Sequence, residues 1–90
     1  MTTMERTDFE SALAQLTGAA ELVAAGASDD LRAQAFEMLA FFRLRRGRAA
    51  VTSNDELFKD TANAALTMAG RKAFLAAAAL LEQARTLLQS

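Results

Sequence analysis

The sequence predicts an all-α fold, a small antiparallel bundle of three to four helices in a single domain over residues 1–90. Residues with strong helix propensity, above all Ala and Leu, dominate the chain, and no Pro interrupts it. There is no Ile and there are only two Val, so the β-branched residues that favour strands are scarce. Apolar residues also recur at spacings of three and four, which is the pattern of a helix with one buried face.

The first helix is predicted over about residues 7–25, and the polar residues 1–6 before it are expected to form a disordered tail. Thr7 and Glu10 have the spacing of a capping box, in which each side chain bonds a free backbone amide. An apolar stripe follows along one face: Phe9, Leu13, Leu16, Ala20 and Val23. Gly26 then predicts a left-handed stop at the end of the helix.

The second helix is predicted over about residues 29–46, with Gly47 ending it. Asp29 and Asp30 suit its first turn, where negative charge offsets the helix dipole. One face carries Leu31, Ala35, Met38, Leu39 and Phe42. Three further apolar residues fall outside that face: Phe36, Phe41 and Leu44. A helix that is apolar on several sides is either central and buried or presents a second face to a partner.

Two more helices are predicted over about residues 54–69 and 71–89. Ser53 and Glu56 have the spacing of a second capping box at the start of the first of them. If one straight helix is assumed, the apolar directions before and after Gly70 differ by roughly 80°. We therefore expect a kink or a short break at Gly70. The alternative is one long helix whose apolar stripe drifts as it wraps around the bundle.

The chain lacks most of the side chains that carry catalysis near neutral pH, because it has no His, Cys or Tyr. Carboxylates with a hard metal ion such as Mg²⁺ are the one route left, and Asp55, Glu56 and Asp60 are grouped in sequence. Acidic residues are nevertheless expected in the first turn of any helix. We therefore expect a protein that is not an enzyme, with no catalytic residues, no metal site and no cofactor.

The predicted core is light, because the chain has 22 Ala, while Leu, Phe, Met and Val together supply 25 residues. A small core without a disulfide or a metal ion often needs a partner to be stable. The sequence therefore favours a non-catalytic protein–protein interaction module, such as a small helical adaptor, a dedicated chaperone-like subunit or a homodimer. The candidate interface residues are Phe36, Phe41, Leu44, Leu80 and Leu87.

An alternative function rests on four arginines near the end of the second helix: Arg43, Arg45, Arg46 and Arg48. Guanidinium groups suit phosphate and carboxylate, so this cluster could bind nucleic acid or an acidic ligand. The simpler interpretation is that cations offset the dipole and bond the free carbonyls at a helix C-terminus. The net charge of −1 gives the chain as a whole no attraction to polyanions.

The expected location is the cytoplasm, since a chain without Cys has no disulfide framework. The polar N-terminus opens no apolar run of the kind found in a secretory signal. The longest uncharged apolar run, residues 73–81, is nine residues long. A membrane-spanning helix needs about 20 residues, so no span is expected.

Overall fold

The computed structural model describes residues 2–88 and confirms an all-α bundle of four helices. The helices are α1 (Arg6–Gly26), α2 (Asp29–Leu44), α3 (Asp55–Gly70) and α4 (Phe74–Leu87). Two short strands, β1 (Thr2–Thr3) and β2 (Val51–Thr52), pair antiparallel ahead of α1 and α3. Within the described residues, no helix combines the length and the apolar composition needed to cross a membrane.

Helix α1 packs against all three other helices, and its contacts with α2 and α3 are the most extensive of the bundle. Its predicted apolar stripe is buried throughout. The facing helices contribute mostly small side chains, including Ala62, Ala65 and Ala69 from α3. Small residues at a contact let helix axes approach closely. The bulk of the core comes from a few large residues, among them Phe9 and Phe58, whose rings stack with centroids 5.9 Å apart.

The segment before α1 takes part in the fold over its described residues. Thr2–Thr3 pairs with Val51–Thr52, and the Met4 amide donates to the Ala50 carbonyl over 2.7 Å. The Met4 side chain is buried in the core. Residues 1–6 were expected to be a disordered tail, and the structure places the part from Thr2 onward against the α2–α3 connection. Met1 lies outside the described residues.

The connection between α2 and α3 contacts the N-terminal strand on one side and the end of α4 on the other. Thr52 is fully buried, and its hydroxyl donates to Asp55 Oδ1 over 2.6 Å. Its backbone forms a bridge with Leu88, and the Ser53 amide donates to the Leu87 carbonyl over 2.9 Å. The N-terminal strand, this connection and the end of α4 therefore meet at one end of the bundle.

The break predicted at Gly70 is present, and the alternative of one long helix is wrong. Helix α3 ends at Gly70, and residues 71–73 form a turn. Lys72 adopts the left-handed conformation with φ 64°, its amide donates to Ala69, and the Ala73 amide reaches back to Met68. This is the Schellman pattern of helix termination. Because the turn takes three residues, α4 begins at Phe74 and not at residue 71, while residue 89 lies outside the described residues.

The predicted capping box at Thr7 and Glu10 is wrong, because α1 begins earlier in the chain. Glu5 is the N-cap residue, and its carboxylate accepts hydrogen bonds from the Thr7 and Asp8 amides, each at 3.3 Å. Thr7 itself lies inside the first turn of the helix. Glu10 points instead toward the end of α2, where its Oε2 accepts from the Gly47 amide at 3.3 Å.

The second predicted capping box, at Ser53 and Glu56, is also wrong. Asn54 is the N-cap residue of α3, and its Oδ1 accepts from the Leu57 amide at 3.1 Å. The Ser53 hydroxyl donates to the Leu87 carbonyl at 3.4 Å instead. Because the end of α4 engages both the amide and the hydroxyl of Ser53, the cap falls to the next residue.

The left-handed stop predicted at Gly26 is wrong, although α1 does end there. Among the described residues, the glycine with a positive φ is Gly47, at 78°. It comes after the end of α2, which lies at Leu44 and not at residue 46 as predicted. Gly26 packs so closely against a neighbouring side chain that it leaves no room for a Cβ atom. A Cβ atom at this position would lie 2.4 Å from Cζ of Phe74, the first residue of α4.

The contact of Gly26 with the Phe74 ring predicts a specific penalty for a methyl group. We expect Gly26→Ala to lower the free energy of unfolding by about 1 kcal/mol, because the ring must shift. Gly70→Ala is the matched control, since its Cβ would meet nothing within 4 Å. It should raise the free energy of unfolding by up to about 1 kcal/mol through helix propensity.

Chemical denaturation followed by helical circular dichroism measures both variants. In a Phe74→Ala background the penalty of Gly26→Ala should disappear, as in a double-mutant cycle. A Gly26→Ala penalty of the same size in both backgrounds would contradict the contact.

Candidate functional site

The five candidate interface residues do not form one surface. Leu87 belongs to the core, with 9% of its surface exposed. Phe41 and Leu80 are half-buried and pack against the core from outside. Phe36 and Leu44 are open to solvent, with 56% and 69% exposed. The structure therefore leaves two of the five fully available to a partner.

Phe41 is covered by its own chain, along the contact between α2 and α4. Its ring packs edge-on against Phe42, with centroids 5.3 Å apart. The guanidinium groups of Arg45 and Arg85 lie 4.5 Å and 5.9 Å from its centroid. A guanidinium over an aromatic face is an attractive contact that also excludes water. Beside it, Gln34 on α2 donates to Glu82 on α4 at 3.4 Å.

The exposed side of α2 carries an apolar line of residues. At about 100° per residue they fall within about 80° of the helix circumference, opposite the residues that face the core. The line consists of Ala33, Phe36, Ala40 and Leu44, all exposed, and is called the α2 stripe below. Large and small side chains alternate along it. The other large exposed apolar side chains in the described residues lie on three different helices: Leu22, Leu57 and Leu75.

The two alanines of the α2 stripe were not among the predicted interface residues. Ala33 and Ala40 stand three residues before and four residues after Phe36. That spacing places them on its face of the helix. The signal was therefore present in the sequence. It was hidden because Ala is so frequent in this chain that its occurrence at any one position carries little information.

The four arginines near the end of α2 turn to different groups. Arg43 pairs with Glu21 on α1, with Nη2 and Oε2 3.0 Å apart. Arg46 lies 4.0 Å from Oε1 of Glu10. Glu10 also accepts from Nη1 of Arg6 at 3.2 Å. These pairs are largely solvent-exposed, and exposed pairs of this kind contribute little free energy. They spread the arginines around the helix end instead of gathering them into one anion site.

The other two arginines are also separated from each other. Arg45 stacks on Phe41, and its buried Nε has no hydrogen-bond acceptor within residues 2–88. Arg48 is exposed and has no ion pair in the described part of the chain. Its carbonyl accepts from Nη1 of Arg6 at 2.8 Å, which ties this turn to α1.

Charge is distributed unevenly along the outward side of α2. Asp29 and Asp30 occupy the first turn, and neither has an ion pair among residues 2–88. Arg43 lies in the last turn, and Arg46 and Arg48 follow in the connection after Leu44. The exposed Arg32 and Glu37 lie between these two groups.

Two of the three grouped carboxylates at the start of α3, Asp55 and Glu56, have structural partners, and Asp60 is exposed. Asp55 accepts from the buried Thr52 hydroxyl. Lys59 lies 3.5 Å from Glu56 and 3.7 Å from Asp8, and these two carboxylates raise the pKa of Lys59 above its ordinary value of 10.5. This amine is therefore held in its charged form and is a poor nucleophile. Among residues 2–88, no three acidic side chains are placed to hold a metal ion.

A small cleft lies between the C-terminal ends of α1 and α3 and the start of α4. Its volume is about 230 Å³, and Gly26, Lys72 and Phe74 form part of its wall. Ligand pockets usually have volumes of about 300–1,000 Å³ and several polar groups that converge on the ligand. Lys72 is the only charged residue of this lining. The cleft therefore lacks the features of a ligand site.

No protein-family model matches this sequence, and no curated protein or solved structure is similar to it at a significant level. A bundle of four helices is also a fold that many unrelated functions share. The functional conclusion therefore rests on the exposed residues of this chain, their charges and their contacts.

Phe36 and Phe41 provide a matched pair of substitutions on one helix. We expect Phe41→Ala to lower the free energy of unfolding by about 2 kcal/mol, because its ring is packed on three sides. Phe36→Ala should change it by less than about 0.5 kcal/mol, since the ring is open to solvent. Urea unfolding of the dilute protein, followed by circular dichroism, measures both. Equal losses would mean that Phe36 packs within its own chain.

Proposed function

We propose that this protein acts without catalysis, as a small helical interaction module that binds another polypeptide through the α2 stripe. The observation that carries this proposal is the exposure of Phe36 and Leu44 on the face of α2 opposite the core. Burying a side chain of this size in a contact is worth about 1.5–3 kcal/mol. Phe36 and Leu44 lie in line, with Ala40 between them and Ala33 beside Phe36, and give a partner a continuous apolar surface.

The shape of the α2 stripe suits an apolar helix as the partner. Phe36 and Leu44 project as two ridges, and Ala33 and Ala40 leave hollows beside them. Helices associate by placing ridges of one into grooves of the other. Such helix-on-helix recognition is read from anchors at spacings of three and four residues, which this stripe provides. An adaptor, a chaperone-like subunit and a homodimer would all use a surface of this kind.

Binding of nucleic acid or an acidic ligand at Arg43–Arg48 stays a prediction, with weaker support. Arg43 is engaged with Glu21, Arg45 with Phe41, and Arg46 is near Glu10. An anion would have to compete with these groups of the chain itself. We keep the cytoplasm as the proposed location, on the absence of Cys alone.

A photo-reactive phenylalanine analogue at position 36 tests the proposal in the native cell. We expect irradiation to give one discrete covalent adduct with a polypeptide, because the ring at this position lies in the contact. The same analogue at Asp60, an exposed position on α3, is the control and should give no discrete adduct. The absence of an adduct at position 36, or the same adducts from both positions, would contradict the proposal.

A further inference from the structure

We infer that helix α2 is a lid on the bundle, which opens as one unit while α1, α3 and α4 stay folded. The structure described above is the closed state. In the open state, the residues of α2, Asp29–Leu44, leave the core and lose their helical hydrogen bonds. This inference goes beyond the proposed function, because it concerns the chain alone and needs no partner. It is supported by the way the other three helices are joined and by the small share of the core that α2 supplies.

The other three helices are tied together at one end of the bundle without α2. Thr2–Thr3, just before α1, pairs with Val51–Thr52, just before α3. Thr52 also forms the bridge with Leu88 at the end of α4. None of these residues belongs to α2. The backbone pairing at this junction therefore stays in place when α2 opens.

Side-chain contacts complete a unit of three helices. Phe9 on α1 stacks on Phe58 of α3. The Gln83 side-chain amide on α4 donates to the hydroxyl of the buried Thr61 on α3 over 2.8 Å. Helix α1 also packs directly against α4. Each of these three helices therefore contacts the other two, and none of these contacts involves α2.

Helix α2 supplies fewer buried residues to the core than any other helix. Helix α1 has eight, and α3 and α4 have five each. Helix α2 has four among its 16 residues: Ala35, Met38, Leu39 and Phe42. Leu31 and Phe41 add partly buried surface at the edge of the core. The element with the fewest buried apolar side chains has the lowest free energy of local opening.

The polar contacts of α2 with its neighbours are also weak. Arg43 pairs with Glu21 on α1 at 3.0 Å, but both side chains are more than half exposed. Gln34 reaches Glu82 on α4 at 3.4 Å. Exposed pairs of this kind contribute little free energy. A helix of 16 residues is marginally stable in water by itself, so α2 unfolds once it leaves the core.

The connections at the two ends of α2 are long enough for it to open. Residues 28–49, when unfolded, can span up to about 70 Å. The longest dimension of the bundle is 35 Å. Ala27 is buried at one end of this segment, and Ala50 is held at the other by its carbonyl, which accepts from the Met4 amide. Opening therefore requires no movement of either anchor.

The lid makes the α2 stripe a conditional surface. The four residues of the stripe share one face only while α2 is helical. The apparent affinity of a partner for the stripe is therefore reduced by the fraction of chains in which the lid is open. A partner on the stripe in turn stabilises the closed state. This consequence rests on the proposed function, whereas the opening itself does not.

Native-state hydrogen exchange of the purified chain, at urea concentrations below the unfolding transition, tests the lid. We expect the amides of α2 to exchange at least tenfold faster than the most protected amides of α1, α3 and α4. In urea, the α2 amides should converge on one common rate. The urea dependence of that rate should be weaker than that of global unfolding, because opening exposes only part of the core.

Two matched substitutions separate opening of the lid from global unfolding. Ala40 on α2 and Ala79 on α4 are both exposed. Ala40→Gly should lower the protection of the α2 amides and of the most protected amides about fivefold, through helix propensity. Ala79→Gly should lower only the most protected amides about fivefold. It should leave the α2 amides unchanged, because α4 is folded in both the closed and the open state.

Three results would overturn the inference. The first is protection of α2 equal to that of the other helices. The second is a loss of α2 protection in Ala79→Gly as large as in Ala40→Gly, because α2 would then open only when the whole chain unfolds. The third is α2 exchange that does not respond to urea, since this marks small fluctuations and not opening as a unit. The chain is alone in this experiment, so none of these results bears on the proposed function.

Discussion

The burial of α1 by the other three helices is the constraint from which the rest of this structure follows. Its apolar stripe supplies the largest share of the core of any helix; α2 and α3 pack mainly against α1, and α4 packs mainly against α3. Their contacts are rich in Ala, so the helices approach closely, and a few rings such as Phe9 and Phe58 fill the remaining space. Once α2 has placed Met38 and Phe42 in this core, its opposite face necessarily points to solvent. The exposure of the α2 stripe is thus a geometric result of how α1 is covered.

Charged side chains at the ends of the helices form contacts that hold neighbouring helices together. Glu10 on α1 accepts a hydrogen bond from the Gly47 amide and lies near Arg46. These two contacts hold the end of α2 close to the start of α1. Arg45 and Arg85 close the seam between α2 and α4 over the Phe41 ring. Much of the arginine cluster is explained by these contacts within the chain. Asp29, Asp30 and Glu37 on α2 have no ion pair among residues 2–88, and neither has Arg48 in the connection beyond its end.

The helices and their buried faces could be predicted because apolar residues recur at spacings of three and four within each segment of the sequence. The break at Gly70 was predictable for the same reason, since the apolar direction changes there. The caps were not: several polar residues lie within one turn of each helix start, and the choice of Glu5 over Thr7, or Asn54 over Ser53, depends on where distant segments hold the backbone. Phe36 and Phe41 are equally apolar in sequence. Phe41 is covered because it packs against Phe42 and the core and lies under the guanidinium groups of Arg45 and Arg85, and Phe36 has no such neighbours.

Hydroxyl-radical footprinting of the dilute native protein tests the central claim most directly, because it reads the solvent exposure of individual side chains. The six phenylalanines act as internal references for one another. The account requires rapid oxidation of Phe36, with Phe9, Phe42 and Phe58 protected until the chain unfolds. Protection of Phe36 to the level of Phe42 in the monomer would contradict it, because α2 would then have no free face.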